Sequence, residues 1–295
     1  MSTYSVAQVE VITGINAHTL RIWERRYSFL NPMRTATNIR YYSDKELRKL
    51  LSIGLLQRHG YKISKLDGMD DKQISAAVEE ILEGSSSVNE DEINSLMLSM
   101  LNLDENQFDK IFRRKLIQVG LFETIIDVIY PFLYRIGILW GASKVIPAQE
   151  HFISNLIRQK IIAAIDTLPI PTAQAPGIVL FLLQDERHEL GLLLTSFLAR
   201  SIGWRVIYLG QDVPTDNISG VVEIVSVNYM MTMLISPRMD DYNTILHKLV
   251  KETSLPLIIS GKDDYVSSIS DHNNIIKMIS PKDLINFLKS TINNK

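Results

Sequence analysis

Cysteine is absent from the 295 residues. That absence excludes disulfides, thiolate zinc sites and cysteine nucleophiles together, so any metal must be held by histidine or carboxylate or arrive inside a cofactor. No run of about 18 uninterrupted apolar residues occurs, and the first residues lack the basic-then-apolar pattern of a secretory signal. The chain is therefore expected in the cytoplasm, away from membranes. Catalytic signatures are lacking as well: there is no catalytic triad, no phosphate-binding Gly-rich loop and no metalloprotease motif, and Gly14, Gly137 and Gly141 are isolated glycines that read as turn or packing residues. A binding protein is expected rather than an enzyme.

What is present is unevenly distributed. The net charge of -2 conceals a basic end, because residues 1–66 carry 11 Lys/Arg against 4 Asp/Glu and the remainder 20 against 29. A basic module on an acidic body is the electrostatic footprint of a chain that neutralises phosphates with one end, although such runs are often no more than solvated faces.

The hydrophobic pattern divides the chain into three parts, 1–75, 88–168 and 176–295. In the first, residues 5–12 form a short amphipathic helix, Thr13-Gly14 a turn, and residues 17–26 a second helix with Leu20 and Trp23 on one face. A basic, β-favouring stretch from Arg34 to Tyr42 follows, and Ser43 with Glu46 three places on forms a capping box for the next helix. Together these predict a winged helix-turn-helix. Gly84-Ser85-Ser86-Ser87 reads as a flexible joint. Four amphipathic segments near 90–102, 105–119, 121–139 and 147–167 predict a four-helix bundle. Beyond the proline-rich stretch Leu168 to Pro176, strands at 178–183, 205–209, 221–227, 257–259 and 275–278 alternate with helices. That alternation predicts a flavodoxin-like, doubly wound parallel sheet, so the whole is a multidomain α and α/β protein with ligands outside the carboxyl ends of the strands. Tyr229-Met230-Met231 is expected as core or pocket lining.

The segment Thr19-Leu20-Arg21-Ile22-Trp23-Glu24-Arg25-Arg26-Tyr27, followed by Pro32, Arg34, Asn38, Arg40 and Tyr42, resembles the MerR-type winged helix-turn-helix over most of residues 4–66. Recognition helices need polar reach in their first turn, and wing arginines set register on phosphates. The resemblance thus implies His18, Thr19 and Arg21 near bases and Arg25, Arg34, Arg40 and Tyr41 on the backbone of operator DNA. A protein-binding winged helix with merely solvated arginines is the alternative. Thr37 stands where many relatives have a wing glycine, so the wing turn is expected to differ.

In the third part, the first strand runs into Gln184-Asp185-Glu186-Arg187-His188-Glu189-Leu190-Gly191. This resembles the cobalamin-binding motif Asp-x-His-x-x-Gly, with Glu186 in place of the aspartate. The resemblance implies that His188 ligates cobalt from below, that Glu186 fixes its tautomer, and that Gly191 lets the backbone approach the nucleotide tail. A surface histidine is the bland reading of the same loop. In the bundle, Trp140 is followed by nine residues and then Glu150-His151. That spacing resembles the Trp-x9-Glu-His signature of CarH/LitR-type light-dependent cobalamin regulators, the family that also includes CarA-like proteins. There the bundle caps the upper face of adenosylcobalamin, Trp140 would lie against the adenosyl group with Glu150 beside it, and His151 could reach cobalt once the upper ligand leaves. An ordinary core tryptophan with a salt-linked Glu-His pair is the alternative. The Ser-x-Leu pattern expected after strand three takes the form Ser226-Val227-Asn228, and the Gly-Gly pattern after strand four the form Ser260-Gly261, which assigns Ser226 and Gly261 to the nucleotide-tail channel.

The resemblance implies a light-responsive repressor that assembles as a homo-oligomer, dimer or tetramer, on operator DNA. Two other readings stay open: a MerR-type repressor that has lost the cofactor and answers to a protein partner, and a corrinoid carrier of a methyltransferase or mutase system.

Overall fold

The computed structural model describes residues 3–84, 89–141, 147–236 and 241–293. It divides into two compact units, Met1–Leu156 and Ile157–Lys295.

The first unit opens with β1 (Thr3–Ser5), α1 (Val6–Thr13) and α2 (Ala17–Arg26). Ser5 and Gln8 close a capping box on α1, which Gly14 ends in the left-handed region at φ 70°. Asn16 then caps α2 by accepting the Thr19 N–H at 2.8 Å. Only Leu20 and Trp23 of α2 are buried, so the rest of that helix faces outward as the sequence pattern requires. The wing is the antiparallel hairpin of β2 (Met33–Arg34) and β3 (Arg40–Ser43), in a sheet of order β1-β3-β2. Its turn needs no glycine at 37, because Asn38 takes the left-handed position at φ 64° and Thr35 Oγ1 accepts the Ile39 N–H at 3.1 Å. The helices α3 (Asp44–Arg58), α4 (Ile63–Asp67) and α5 (Asp71–Gly84) follow, with the Ser43–Glu46 box in place on α3. Of the expected joint at 84–87, residues 85–87 lie outside the described residues.

Next come α6 (Asn89–Asn102), α7 (Glu105–Thr124), a π-helical turn at Ile125–Ile129, α8 (Tyr130–Gly141) and α9 (Pro147–Asp166). These are the four expected segments. The break between the second and third is Gly120, which leaves helical geometry at φ 84° and ψ 169°. The run Glu105–Gly137 has the length and mean hydropathy, 1.6, of a membrane span. It is bent at Gly120, however, and Phe108, Ile111, Ile125, Ile129, Phe132 and Ile136 are buried within the unit. The boundary between the units falls inside α9.

The second unit is a parallel sheet of β4 (Gly177–Leu183), β5 (Arg205–Val213), β6 (Tyr229–Leu234), β7 (Leu257–Gly261) and β8 (Ile275–Lys277), in the order β5-β4-β6-β7-β8. The second strand therefore lies outside the first, the flavodoxin-like order. Its helices are α10 (Leu190–Ile202), α11 (Ile218–Ile224), α12 (Tyr242–Thr253), α13 (Asp263–Ser268) and α14 (Pro281–Asn293). Every residue of β4 is buried, and its side chains alternate between two cores. Val179, Phe181 and Leu183 join Leu246 and Leu249 of α12, whereas Ile178, Leu180 and Leu182 join Trp204 and Leu288 on the opposite face.

One strand assignment is corrected. The stretch expected as strand three, 221–227, lies mostly in α11, and the third strand is β6, beginning at Tyr229. Met230 and Met231 are fully buried in it, as core.

Candidate functional site

At the carboxyl end of β4 the chain turns sharply. Asp185 is left-handed at φ 67°, and its N–H donates to Asp212 Oδ1 at 2.8 Å while Asp212 N–H donates back to the Glu186 carbonyl at 3.0 Å. These bonds lace the loop to the end of β5 and turn Glu186 inward, where it is 3% exposed, while leaving His188 half exposed. Glu186 Oε1 accepts from His188 Nδ1 at 2.7 Å and from the His188 backbone N–H at 3.0 Å. Its other oxygen accepts the Ser236 N–H at 2.8 Å, and Ser236 Oγ lies 3.1 Å from His188 Nδ1. Burial raises the Glu186 carboxyl, but the bonds from the His188 side chain and backbone and from Ser236 outweigh it and hold the group down at about 2. An ionised carboxylate accepts only, so the Nδ1 that faces it carries the ring proton, and a metal on this ring would be bound at Nε2.

Glu189 anchors the start of α10, accepting from Tyr208 Oη at 3.2 Å and pairing with Arg158 at 3.4 Å. Burial, and then the adjacent Glu189, push the Tyr208 hydroxyl up. The glycines have packing reasons: a Cβ at Gly191 would lie 2.9 Å from Met233 Sδ, and one at Gly261, where φ is 133°, 2.3 Å from the Leu234 carbonyl oxygen. Both positions let backbone approach β6 closely.

Ser226 does not join this cluster. It precedes β6 at the amino edge of the sheet, where its carbonyl accepts from Arg205 at the start of β5. Asn228 is at the same edge, exchanging bonds with Gly177, the first residue of β4. The assignment of Ser226 to a tail channel followed from placing the third strand one element too early. The serine that actually meets His188 is Ser236, two residues beyond β6, and sequence reasoning passed over it. Thr232 in β6 is fully buried, and its hydroxyl has no hydrogen-bond partner among the described residues.

In the first unit, Trp140 falls in the last turn of α8, and its side chain lies outside the described residues. Glu150 and His151 are adjacent on α9, with His151 Nδ1 3.0 Å from Glu150 Oε2 and the His151 side chain 67% exposed. Glu150 also accepts from Ser154.

In the helix-turn-helix, His18, Arg21 and Arg25 are exposed on α2, and Thr19 is half-buried beside its cap. Arg34 and Arg40 behave differently from free phosphate-reaching cations. Both pair with Glu24 of α2, Arg40 Nε at 2.5 Å and Arg34 through a terminal nitrogen, so the wing is clasped to the recognition helix. Burial raises the Glu24 carboxyl, and Arg40 and Arg34 more than offset it, leaving it below the ordinary carboxylate value. Tyr41 is half-buried on β3.

Comparison with known proteins bears on both units. Residues 4–73 match the MerR HTH family regulatory proteins, and residues 92–164 match the B12 binding domain family. The chain is 24% identical over 267 residues to the HTH-type transcriptional repressor CarH of Myxococcus xanthus, covering 88% of this chain and 89% of that one. It is 24% identical over 277 residues to CarA of the same organism, covering 88% and 86%. Among solved structures, the Methanosarcina barkeri monomethylamine corrinoid protein superposes with a TM-score of 0.54 at 13% identity, covering 69% of this chain and all of that one. The fold is thus a helix-turn-helix region joined to helices and a five-stranded parallel sheet of the kind found in that corrinoid protein.

Proposed function

We propose, from the premise that this chain joins a MerR helix-turn-helix to a B12-binding domain and is homologous to CarH and CarA, that it is a cytoplasmic repressor whose grip on operator DNA depends on adenosylcobalamin and is released by light. The observation that carries the reading is the clasp of Glu186 and Ser236 on His188 at the carboxyl end of β4. Ligand sites of doubly wound sheets lie at that end, and metal-ligating histidines characteristically rest their second nitrogen on a carboxylate. The residues fit the cofactor: a borderline nitrogen donor, its second nitrogen resting on the Glu186 carboxylate, suits cobalt.

In this reading His188 Nε2 would hold the cobalt, Glu186 would keep the Nδ1 proton in place, and Ser236 would keep Glu186 aimed. When bound, adenosylcobalamin supplies a weak cobalt–carbon bond that light breaks. Trp140 would cover the adenosyl group, Glu150 would hold ribose hydroxyls, and His151 would offer a second imidazole to the metal. One winged head contacts only a short half-site, so useful affinity needs several heads held together, and the oligomer contact is the element that light shifts.

The reading is tested by size exclusion and operator binding of apo protein, protein loaded with adenosylcobalamin in the dark, and the same sample after green light. The dark-loaded sample should be the larger assembly and the tighter binder, and light should reverse both. Identical profiles and affinities in all three samples would overturn it in favour of a repressor that does not use the cofactor.

A further inference from the structure

Arg135, in the middle of α8, is 16% exposed, and its guanidinium is shared among three residues on two other helices, α1 and α6. One terminal nitrogen donates to both carboxylate oxygens of Glu90 at 2.7 Å. The other donates to Asn94 Oδ1 at 3.1 Å and to the carbonyl of Ile12 at 3.4 Å. Ile12 is the penultimate residue of α1, immediately before the turn into the recognition helix. Glu90 reaches the same turn, since a Cβ on Gly14 would sit 3.3 Å from its Oε1. A single arginine of the bundle therefore holds a carboxylate against the turn of the helix-turn-helix while also taking one of the turn's carbonyls.

The surrounding seam is of the same character. Asp91, 2% exposed, accepts from Arg58 Nε at 2.6 Å and lies 2.7 Å from His59 Nε2, both near the end of α3, and Arg48 of α3 donates to the Leu101 carbonyl at 3.1 Å. The helix α6 thus meets the DNA-binding head with Glu90, Asp91 and Asn94, polar groups that make directional bonds. Directional, charge-assisted contacts fix one orientation, whereas an apolar face tolerates sliding.

We propose that Arg135 is a positioning residue for DNA recognition: it latches the turn between α1 and α2 to the bundle, so that the recognition helix takes its orientation from α8. Trp140 lies five residues beyond Arg135 on the same helix, about 7.5 Å of rise. A displacement of α8 at its Trp140 end is therefore delivered to the turn that sets α2. That last consequence rests on the cofactor role proposed for Trp140; the latch itself does not.

The test is hydrogen exchange of the full chain without cofactor or DNA, which keeps it independent of the cobalamin reading. Arg135→Ala should speed exchange in the segment 12–20 by about tenfold or more, while the β4 segment of the other unit keeps its wild-type rate. Glu90→Gln, which preserves volume and one acceptor, should give a smaller increase in the same segment. Adding it to Arg135→Ala should add little, because the two act as one pair. Arg135→Lys keeps the charge but lacks the planar fork that reaches all four acceptor oxygens, and should fall between wild type and alanine. If Arg135→Ala does not fold, Glu90→Gln decides alone. Unchanged exchange at 12–20 in the folded variants, or additive effects of the pair, would overturn the latch.

Discussion

Glu24 in the head and Glu186 beyond β4 are two largely buried carboxylates held ionised by their neighbours, and they differ in what they hold. Glu24 pairs with Arg40 and Arg34, cations that stay charged at any relevant pH. It fixes a surface, pulling the wing onto the recognition helix. Glu186 pairs with an imidazole and two backbone N–H groups. It fixes an atom, setting which nitrogen of His188 bears the proton. The first arrangement shapes an interface for a large polyanion. Under the proposed function the second would prepare a single ligating nitrogen, and so its loss is predicted to have the sharper consequence.

The largest effect should come from the ring itself. His188→Ala is expected to reduce cobalamin capture by well over about 100-fold, with Glu186→Gln costing about 10–100-fold, as supporting groups of ligating histidines do. Ser236→Ala retains the backbone donor to Glu186 and should cost only a few-fold. Equilibrium titration followed by absorption measures all three, and equal losses for Glu186→Gln and Ser236→Ala would break the ranking.

Gly261→Ala probes the backbone around the same site. Its Cβ would collide with the Leu234 carbonyl at 2.3 Å, in a region of φ that only glycine adopts readily. A loss of roughly 3 kcal/mol or more in the stability of the second unit is expected by denaturant titration. A change below about 1 kcal/mol would contradict the close packing of β7 on β6.

The two carboxylates also separate by pH. The folded value of Glu186, about 2, lies below the ordinary carboxylate value. Its contribution is therefore present above the unfolded pKa and is lost as pH falls from about 4.5 towards 2, an effect on the order of 3 kcal/mol. Thermal melts across that window should show an acid limb that Glu186→Gln flattens. An unchanged limb would mean that other carboxylates dominate acid unfolding.

The smallest and most discriminating effects concern the head. Arg25 is exposed on α2, so Arg25→Ala should weaken binding to all sequences and flatten the salt slope by about one, the signature of one lost phosphate contact. Arg40 is engaged by Glu24. Arg40→Ala should then reduce affinity through a loosened wing with little change in slope. Equal slopes for the two variants would show that the clasp opens on DNA.

Much of this was legible in the sequence where the signal is local. The capping box Ser43–Glu46 and the turn at Gly14 depend on residues within a few positions of each other, and each is formed as read, as is the short-range bond of His188 to Glu186. Strand three was misread for an equally physical reason. Val221, Val222, Ile224 and Val225 are β-branched and look like a buried strand, whereas the true strand, Tyr229–Leu234, contains three methionines, which carry little strand preference. Packing between two cores decided in favour of the methionines, and Ser226 was carried to the wrong edge with the misplaced strand. The seam around Arg135 could not be read at all, because Ile12, Asp91 and Arg135 are separated by dozens of residues and only the fold brings their surroundings together.

The proposed function stands on donation from His188 to cobalt. Electron paramagnetic resonance of the protein loaded with cob(II)alamin, prepared once with natural histidine and once with 15N-labelled histidine, tests it at the atom concerned. If His188 is the lower ligand, the threefold nitrogen splitting of the unlabelled sample becomes twofold in the labelled one, and His188→Ala abolishes the change. Splitting that stays threefold after labelling would place the cofactor's own base on the metal and contradict the account.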